Sequence, residues 1–261
     1  MIFTYYSKKG GVGKTTVIGE HAAYLASLGK KVALVSIDDQ NSTFEMFGKS
    51  NLVFDQEDNY IEYFLADEQP LENIALELRD NLYGFKTLNT DMISKKLTLE
   101  RTFEKQFIQF FKTLKKAYDV VFVDLPPSSN RANEVVFEIV DELIIIVELN
   151  KLGVNGLFNT IQYFTDVDLN MSKVKYVLPN GFSKIKSAPK IALEDLEALV
   201  KENLKKAKIL PSIPEKSIIL TLQQQGISLF DKDVSLLSPY QRKLKKEMKP
   251  LFESLFTTIQ V

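Results

Sequence analysis

Ile2-Phe3-Thr4-Tyr5-Tyr6, followed at once by Lys9-Gly10-Gly11-Val12-Gly13-Lys14-Thr15-Thr16, decides how this chain is read. A short β-rich run gives way to a glycine-rich loop, and the loop to a stretch of helical spacing from Thr15 to Leu28 that Gly29 is placed to stop. In such a strand, loop and helix unit the glycines let the backbone curl with its N–H groups turned inward. The positive end of the helix lies behind them, so the loop is a nest for phosphate oxygens. Lys14 is placed to reach β- and γ-phosphates, and the Thr15 hydroxyl to ligate Mg2+. The strict spacing G-x-x-x-x-G-K-[ST] is not met, because Lys8 stands five residues before Gly13 where a glycine is required.

Working outward, Val32 to Ile37 is a second strand whose continuous hydrophobicity suits burial on both faces, as parallel sheets require. Gly84 to Leu88 reads as a third. Leu99 to Tyr118 has the spacing of an amphipathic helix and leads into Val120-Val121-Phe122-Val123, a strand that ends at Asp124 and is stopped by Pro126-Pro127. Leu143 to Leu149 and Val174 to Leu178 are further strands, with helical stretches at Leu157 to Phe164 and Ile191 to Lys206. This alternation predicts an α/β fold: a single doubly wound, mostly parallel sheet with helices on both faces, one P-loop domain spanning residues 1–261. Ser50 to Asp80 carries the least pattern, and the tail from Pro239 to Phe256 reads as a basic helix interrupted near Pro250.

Two acids complete the site. Asp38 follows the second strand and Asp124 the Val120–Val123 strand, so both should emerge at carboxyl ends beside the phosphate loop, where open α/β sheets bind ligands. The chain has no cysteine and one histidine, His21, which excludes disulfides, thiolate zinc, iron–sulfur clusters and multi-histidine metal sites. His21, in the middle of the first helix, reads as a packing or surface residue. Hydrophobic residues make up 45% and charged residues 26%, an ordinary globular balance. No apolar run approaches the roughly 18 residues of a membrane span, and the amino terminus lacks the succession of a signal peptide, so a cytoplasmic location is expected. The net charge of -1 hides an asymmetry: Met171 to Val261 holds 16 Lys and Arg against 9 Asp and Glu. Lys184, Lys186, Lys190, Lys201, Lys205, Lys206, Lys208 and Lys216 are spaced to give a basic face, on which each phosphate contact would add salt-sensitive, sequence-independent affinity.

The run Lys9 to Thr15 resembles the deviant Walker A loop of the ParA/MinD ATPases. The resemblance implies ATP and Mg2+ as ligands, with Lys9, Gly10, Gly11, Val12, Gly13, Lys14, Thr15 and Thr16 around the phosphates. It makes Lys9 the signature lysine that reaches across a dimer interface to the partner's nucleotide. Tyr118 to Ser128 is similar to the family's Walker B segment, with Leu125 in place of the usual Thr, and implies that Asp124 holds the Mg2+ water shell. Val35 to Gln40 is similar to the family's D-x-D-P-Q segment. By that match Asp38 positions the attacking water and belongs to the metal site with Thr15 and Asp124; because Ser36 and Asp39 replace the first acid and the proline, Asp39 is the alternative. Lys9, Lys14 and Asp38 are thus the catalytic candidates, and slow turnover without a partner is expected. Val140 to Val147, Ile213-Pro214 and Gln225 to Leu229 resemble later family segments, so the likeness covers nearly the whole chain, and Asn180 and Pro214 stand where the family holds adenine.

Within the family the ParA-type, Soj-like DNA partition ATPases fit best, in the short form without an amino-terminal helix-turn-helix domain. That likeness implies a homodimer in the ATP state, nonspecific DNA, a ParB-like centromere-binding adaptor that stimulates hydrolysis, a nucleoid-associated location and no membrane. Lys184, Lys186, Lys205, Lys206, Lys208 and Lys216 are then the DNA contacts, although Glu215 replaces the arginine of the family's I-P-R segment and Ile218 a frequent second basic residue. Two other readings stay open. A MinD-like membrane-cycling ATPase would use an apolar stripe of Leu244, Met248, Leu251, Phe252, Leu255 and Phe256 beside Lys243, Lys245, Lys246 and Lys249. A metabolic P-loop phosphotransferase would use the same loop on a small acceptor.

Overall fold

The computed structural model describes residues 1–53, 58–215 and 218–259. Strand β1 (Ile2–Tyr6) leads through the loop into α1 (Lys14–Ser27), and β2 (Val32–Ser36) into the short helices α2 (Ser42–Met46), α3 (Ile61–Leu65) and α4 (Leu71–Ile74). Strands β3 (Leu76–Arg79) and β4 (Leu82–Phe85) form a hairpin, followed by α5 (Thr90–Leu99), α6 (Arg101–Ala117), β5 (Val120–Asp124) and α7 (Arg131–Ile139). Next come β6 (Glu142–Glu148), α8 (Lys151–Asp166), β7 (Val174–Phe182), α9 (Ser187–Asn203), β8 (Lys208–Ile209) and β9 (Ile213–Pro214). Helices α10 (Ile218–Gln224) and α11 (Pro239–Thr258) close the chain.

The described residues form one sheet of nine strands in the order β3-β4-β2-β5-β1-β6-β7-β8, with β9 beside β7. Its pairs are parallel except β3–β4, which is antiparallel at the edge. Successive strand side chains point to opposite faces, and both faces are apolar here. Tyr6, Val35, Val123 and Ile145 pack under α3, α5, α6, α7, α8 and α9. Phe3, Leu34, Phe122 and Ile146 pack under α1, α2, α10 and α11. The expected doubly wound, mostly parallel sheet is therefore what the chain forms. Because β1 lies between β5 and β6, the loop after it opens at the centre of the sheet's carboxyl edge.

Three local expectations are corrected. The strand placed at Gly84 to Leu88 runs instead over Leu82–Phe85, in register with Val32 to Val35. Beyond Phe85 the chain leaves the ladder: the Thr87 N–H donates to Asn41 Oδ1 at 3.0 Å and its hydroxyl to Ser36 O at 2.6 Å. The helix from Leu99 to Tyr118 begins at Arg101, because Glu100 adopts φ -124 and ψ 98 and separates it from α5. Pro250 does not interrupt the tail helix: α11 is continuous from Pro239 to Thr258. The proline removes one hydrogen bond, to Lys246 O, on an exposed side. Met248, Phe252, Leu255 and Phe256 anchor both flanks in the core.

Candidate functional site

The site is built where β1, β2, β5 and β6 end. Gly11 at φ 73 and Gly13 at φ 95 have the left-handed backbone that curls the loop, and at Gly13 a side chain is also excluded by space. A Cβ there would lie 2.8 Å from Asn180 Nδ2, whose amide donates to Val12 O at 2.8 Å. The first intrahelical bond of α1 runs from the Val17 N–H to Gly13 O at 2.9 Å, so the N–H groups of Lys14, Thr15 and Thr16 have no partner within the helix. With the end of the helix dipole behind them they make an anion site. The Lys14 ammonium is buried and donates to Lys9 O at 3.4 Å; burial pulls its pKa down, against the charges of Asp124 and Asp38.

Asp124, the last residue of β5, faces Tyr5 of β1 and Ser36 of β2. Its Oδ2 accepts from the Thr15 hydroxyl at 2.8 Å, whereas its buried Oδ1 has no partner. Burial pushes its carboxyl up to about 6, opposed by the Thr15 hydrogen bond and the Lys14 charge and reinforced by Asp38. A buried carboxylate oxygen without a donor, beside a hydroxyl and an anion nest, fits the water shell of a hard cation. Among the described residues no group of three His, Cys, Asp or Glu could hold a metal alone. A cation here would complete its shell with water and phosphate oxygens, as Mg2+ commonly does.

The two candidate acids after β2 have different surroundings. Among the described residues the Asp38 carboxylate accepts only from the Gln40 N–H, at 3.1 Å, and its charge is felt by both Lys14 and Asp124. Asp39 is engaged elsewhere. Its N–H donates to Thr90 Oγ1 at 3.0 Å, and its carboxylate accepts from the Thr90 N–H at 3.3 Å and from Gln40 Nε2 at 3.2 Å, tying the segment to the start of α5.

The structure also brings in residues that the sequence did not single out. Lys9 Nζ is paired with Glu148 at the end of β6, and the Thr16 hydroxyl accepts from Gln223 Nε2 of α10 at 2.9 Å. Glu148 obeys the same carboxyl-edge rule that selects Asp38 and Asp124. Gln223 carries no pattern signal. Asn180, near the carboxyl end of β7, is bonded to the loop, and Pro214 lies in β9, which pairs with that end of β7. His21 is a core residue: hydrogen bonded to the Tyr5 hydroxyl at 2.8 Å and stacked on Phe256 at 4.3 Å, it is pushed down to about 3 by burial and stays neutral. A cavity of about 700 Å3 opens at the far end of α1, bordered by Ala26, Gly29, Arg79 and Phe230, and no residue of the loop lines it.

The lysines named as DNA contacts divide into two groups. Lys184 and Lys186 lie at the start of α9, near the carboxyl edge, beside Lys190 of the wider basic face, whereas Lys205, Lys206 and Lys208 follow its end. At 1.5 Å per residue the helix puts about 25 Å between the groups. Lys186 Nζ is paired with Glu215 at 2.7 Å. Lys216 lies outside the described residues.

A family model described as an AAA domain, AAA_31, matches residues 1–175. The sporulation initiation inhibitor protein Soj of Bacillus subtilis is 27% identical over 173 residues, 62% of this chain and 64% of that protein. A putative plasmid partition protein from Borrelia burgdorferi bound to AMPPNP superimposes with a TM-score of 0.70 at 21% identity, covering 97% of this chain and 98% of that one. The MinC:MinD cell division protein complex of Aquifex aeolicus gives a TM-score of 0.70 at 20% identity, covering 97% and 95%. At these identities the structures establish the fold alone. The chain spans between 60% and 64% of the length of the first curated relatives it matches. With the AAA_31 match over residues 1–175 and the loop geometry above, the chain belongs to the ParA/MinD superfamily of deviant Walker A P-loop ATPases.

Proposed function

We propose that residues 1–261 act as a single P-loop domain that hydrolyses ATP with Mg2+, and that its ATP-bound form is a homodimer binding DNA without sequence preference until hydrolysis releases it. The observation that carries this reading is the loop itself: two left-handed glycines, three amides without helical partners, and a half-buried Thr15–Asp124 pair with one free carboxylate oxygen. In this reading Gly10 to Thr16 cradle the triphosphate, Lys14 neutralises its β- and γ-oxygens, and Asn180 and Pro214 border the base. Thr15 and Asp124 hold the cation side, and Asp38, the less encumbered of the two acids, positions the attacking water. Bound Mg2+ would neutralise charge on the phosphate oxygens during transfer. Lys9 acts in the second protomer of the dimer. A ParB-like centromere-binding adaptor stimulates turnover, and the protein is cytoplasmic and nucleoid-associated.

The tail supports a DNA reading over a membrane one. Of its apolar stripe, Met248, Phe252, Leu255 and Phe256 are buried against α1 and the sheet, and only Leu251 is well exposed, too little apolar surface for lipid docking. No helix among the described residues is long and apolar enough to cross a membrane. On the nucleotide side, Lys184 and Lys190 extend into solvent. Retention on nonspecific duplex DNA at low salt tests the proposal: strong with ATP, weak with ADP. Equal weak retention with ATP, ADP and no nucleotide would refute the DNA role, and no heat of association with Mg-ATP would refute the whole reading.

A further inference from the structure

Lys9 is already engaged within its own protomer. Its ammonium pairs with Glu148, and the surrounding contacts hold the arm in place. The Lys8 N–H donates to Thr160 Oγ1 of α8 at 3.1 Å, and the Lys8 ammonium sits 5.0 Å from the centre of the Tyr163 ring. Gly156 of α8 faces the Lys9 stem, where a Cβ would come within 3.3 Å of Lys9 Cβ. Glu148 is fixed too. It pairs in register with Asn180, and the Leu149 N–H next to it donates to Asn180 O at 2.8 Å. Burial raises the Glu148 carboxyl, but hydrogen bonds from Lys9 and Asn150 together with the Lys9 charge outweigh it and leave the group below its ordinary value.

We infer that Glu148 is a positioning residue for Lys9: it holds the ammonium in cis until a partner protomer offers a triphosphate, and the sandwich dimer closes by exchanging that carboxylate for phosphate oxygens. The inference rests on the reading that Lys9 acts in trans. A single carboxylate competes poorly with the clustered charge of a triphosphate and better with a diphosphate, which lacks the γ-oxygens, so the exchange discriminates ATP from ADP. The latch is also weak enough to release. The two side chains are 27% and 40% exposed, and pairs of that kind hold by a factor of roughly 1.4 to 5. A two-fold dimer opens two of them, so loss of the carboxylate is worth the square, roughly 2- to 30-fold in the dimer constant.

The test is sedimentation equilibrium on an Asp38→Ala background, with ATP or ADP, for the parent, Glu148→Gln, Glu148→Ala, Lys9→Gln and the Lys9→Gln/Glu148→Gln double variant. The expected result is a dimer dissociation constant lowered roughly 2- to 30-fold by either Glu148 change, with a nucleotide-free Tm lowered by no more than about 4 °C. No gain is expected from Glu148→Gln when Lys9 is already replaced, which a merely structural role would not give. If the parent dimerises with ATP and both Glu148 variants do so with an unchanged or raised constant, the latch is overturned while the dimer reading stands. If the parent stays monomeric with ATP, the dimer reading fails first and the latch with it.

Discussion

Glu20 lies on α1 a turn and a half beyond Lys14 and is fully buried. Its Oε2 accepts from the Ser228 hydroxyl at 2.7 Å and from the Leu229 N–H at 3.0 Å. Burial nevertheless dominates, opposed by the Ser228 and Leu229 hydrogen bonds, and pushes the carboxyl up to about 7 from an ordinary 4.5. Because the folded pKa is the higher one, the folded state holds a proton between these values that the unfolded chain has lost. Stability contributed by this group is therefore greatest below about pH 4.5, falls as pH rises, and is gone above about 7. Linkage over that gap gives about 2 kcal/mol lost between pH 5.5 and 8, or roughly 4 to 8 °C in Tm for a chain near this size. Glu20→Gln keeps the shape and removes the titration. Urea unfolding without nucleotide at both pH values should show the variant gaining about 2 kcal/mol on wild type between pH 5.5 and pH 8. Asp124 and the other carboxylates titrate in both proteins and cancel. A difference between the two proteins that stays constant with pH would refute the placement of a strained carboxyl at this position.

Gly13→Ala should weaken Mg-ATP binding at least tenfold by calorimetry and cost about 1 to 3 kcal/mol of stability, because it places a Cβ at φ 95 and 2.8 Å from Asn180 Nδ2. Asp38→Ala should retain ATP binding and stop turnover in a phosphate-release assay, whereas Asp39→Ala, which loses the carboxylate's bond from the Thr90 N–H, should lower stability by about 1 kcal/mol and leave turnover within a few-fold. Glu215→Gln frees Lys186 and should steepen the salt dependence of ATP-dependent DNA retention by about 0.9 in log–log slope per added phosphate contact; an unchanged slope would place the DNA face away from the start of α9.

The loop and its two edge acids were legible because a curled loop favours Gly at its left-handed positions, here φ 73 and φ 95, and because open α/β sheets place ligand-facing residues at or just after strand carboxyl ends. Parallel strands were legible for a similar reason, since burial on both faces leaves continuous apolar runs. What escaped the sequence depends on contacts remote in the chain. Gly84 looked like a strand start, yet it sits mid-strand, where a Cβ would meet the Phe44 ring at 2.8 Å. Lys86 and Thr87 alternate as strand residues do, but their polar groups serve the loop that holds Asn41 and Leu52. Thr90 to Leu99 has a mixed surface that hides a helix, and its join to α6 is a single extended residue, which periodicity alone does not register.

Helix α1 explains why the carboxy-terminal third matters to a loop near residue 10. Its first turn faces the phosphate nest, while Thr16 and Glu20, four residues apart on one side, are bonded to Gln223, Ser228 and Leu229. On an adjoining side His21 stacks on Phe256 of α11. Lys245 of α11 in turn donates to Leu229 O at 2.8 Å and Asp231 O at 2.7 Å, and Arg79 clasps Asp231 with two bonds of 2.9 Å. The helix that presents Lys14 and Thr15 is therefore oriented by residues more than 200 positions away, and a shift of the 218–231 segment would tilt the phosphate nest. Helix α8 bears on the other arm of the same loop through Thr160, Gly156 and Tyr163. Gly10 to Gly13 thus join two supports, one that sets the cis contacts of Lys14 and Thr15 and one that sets the reach of Lys9. Substitutions at Gln223 or Ser228 should for that reason change nucleotide affinity, whereas substitutions at Glu148 should change dimerisation at unchanged affinity.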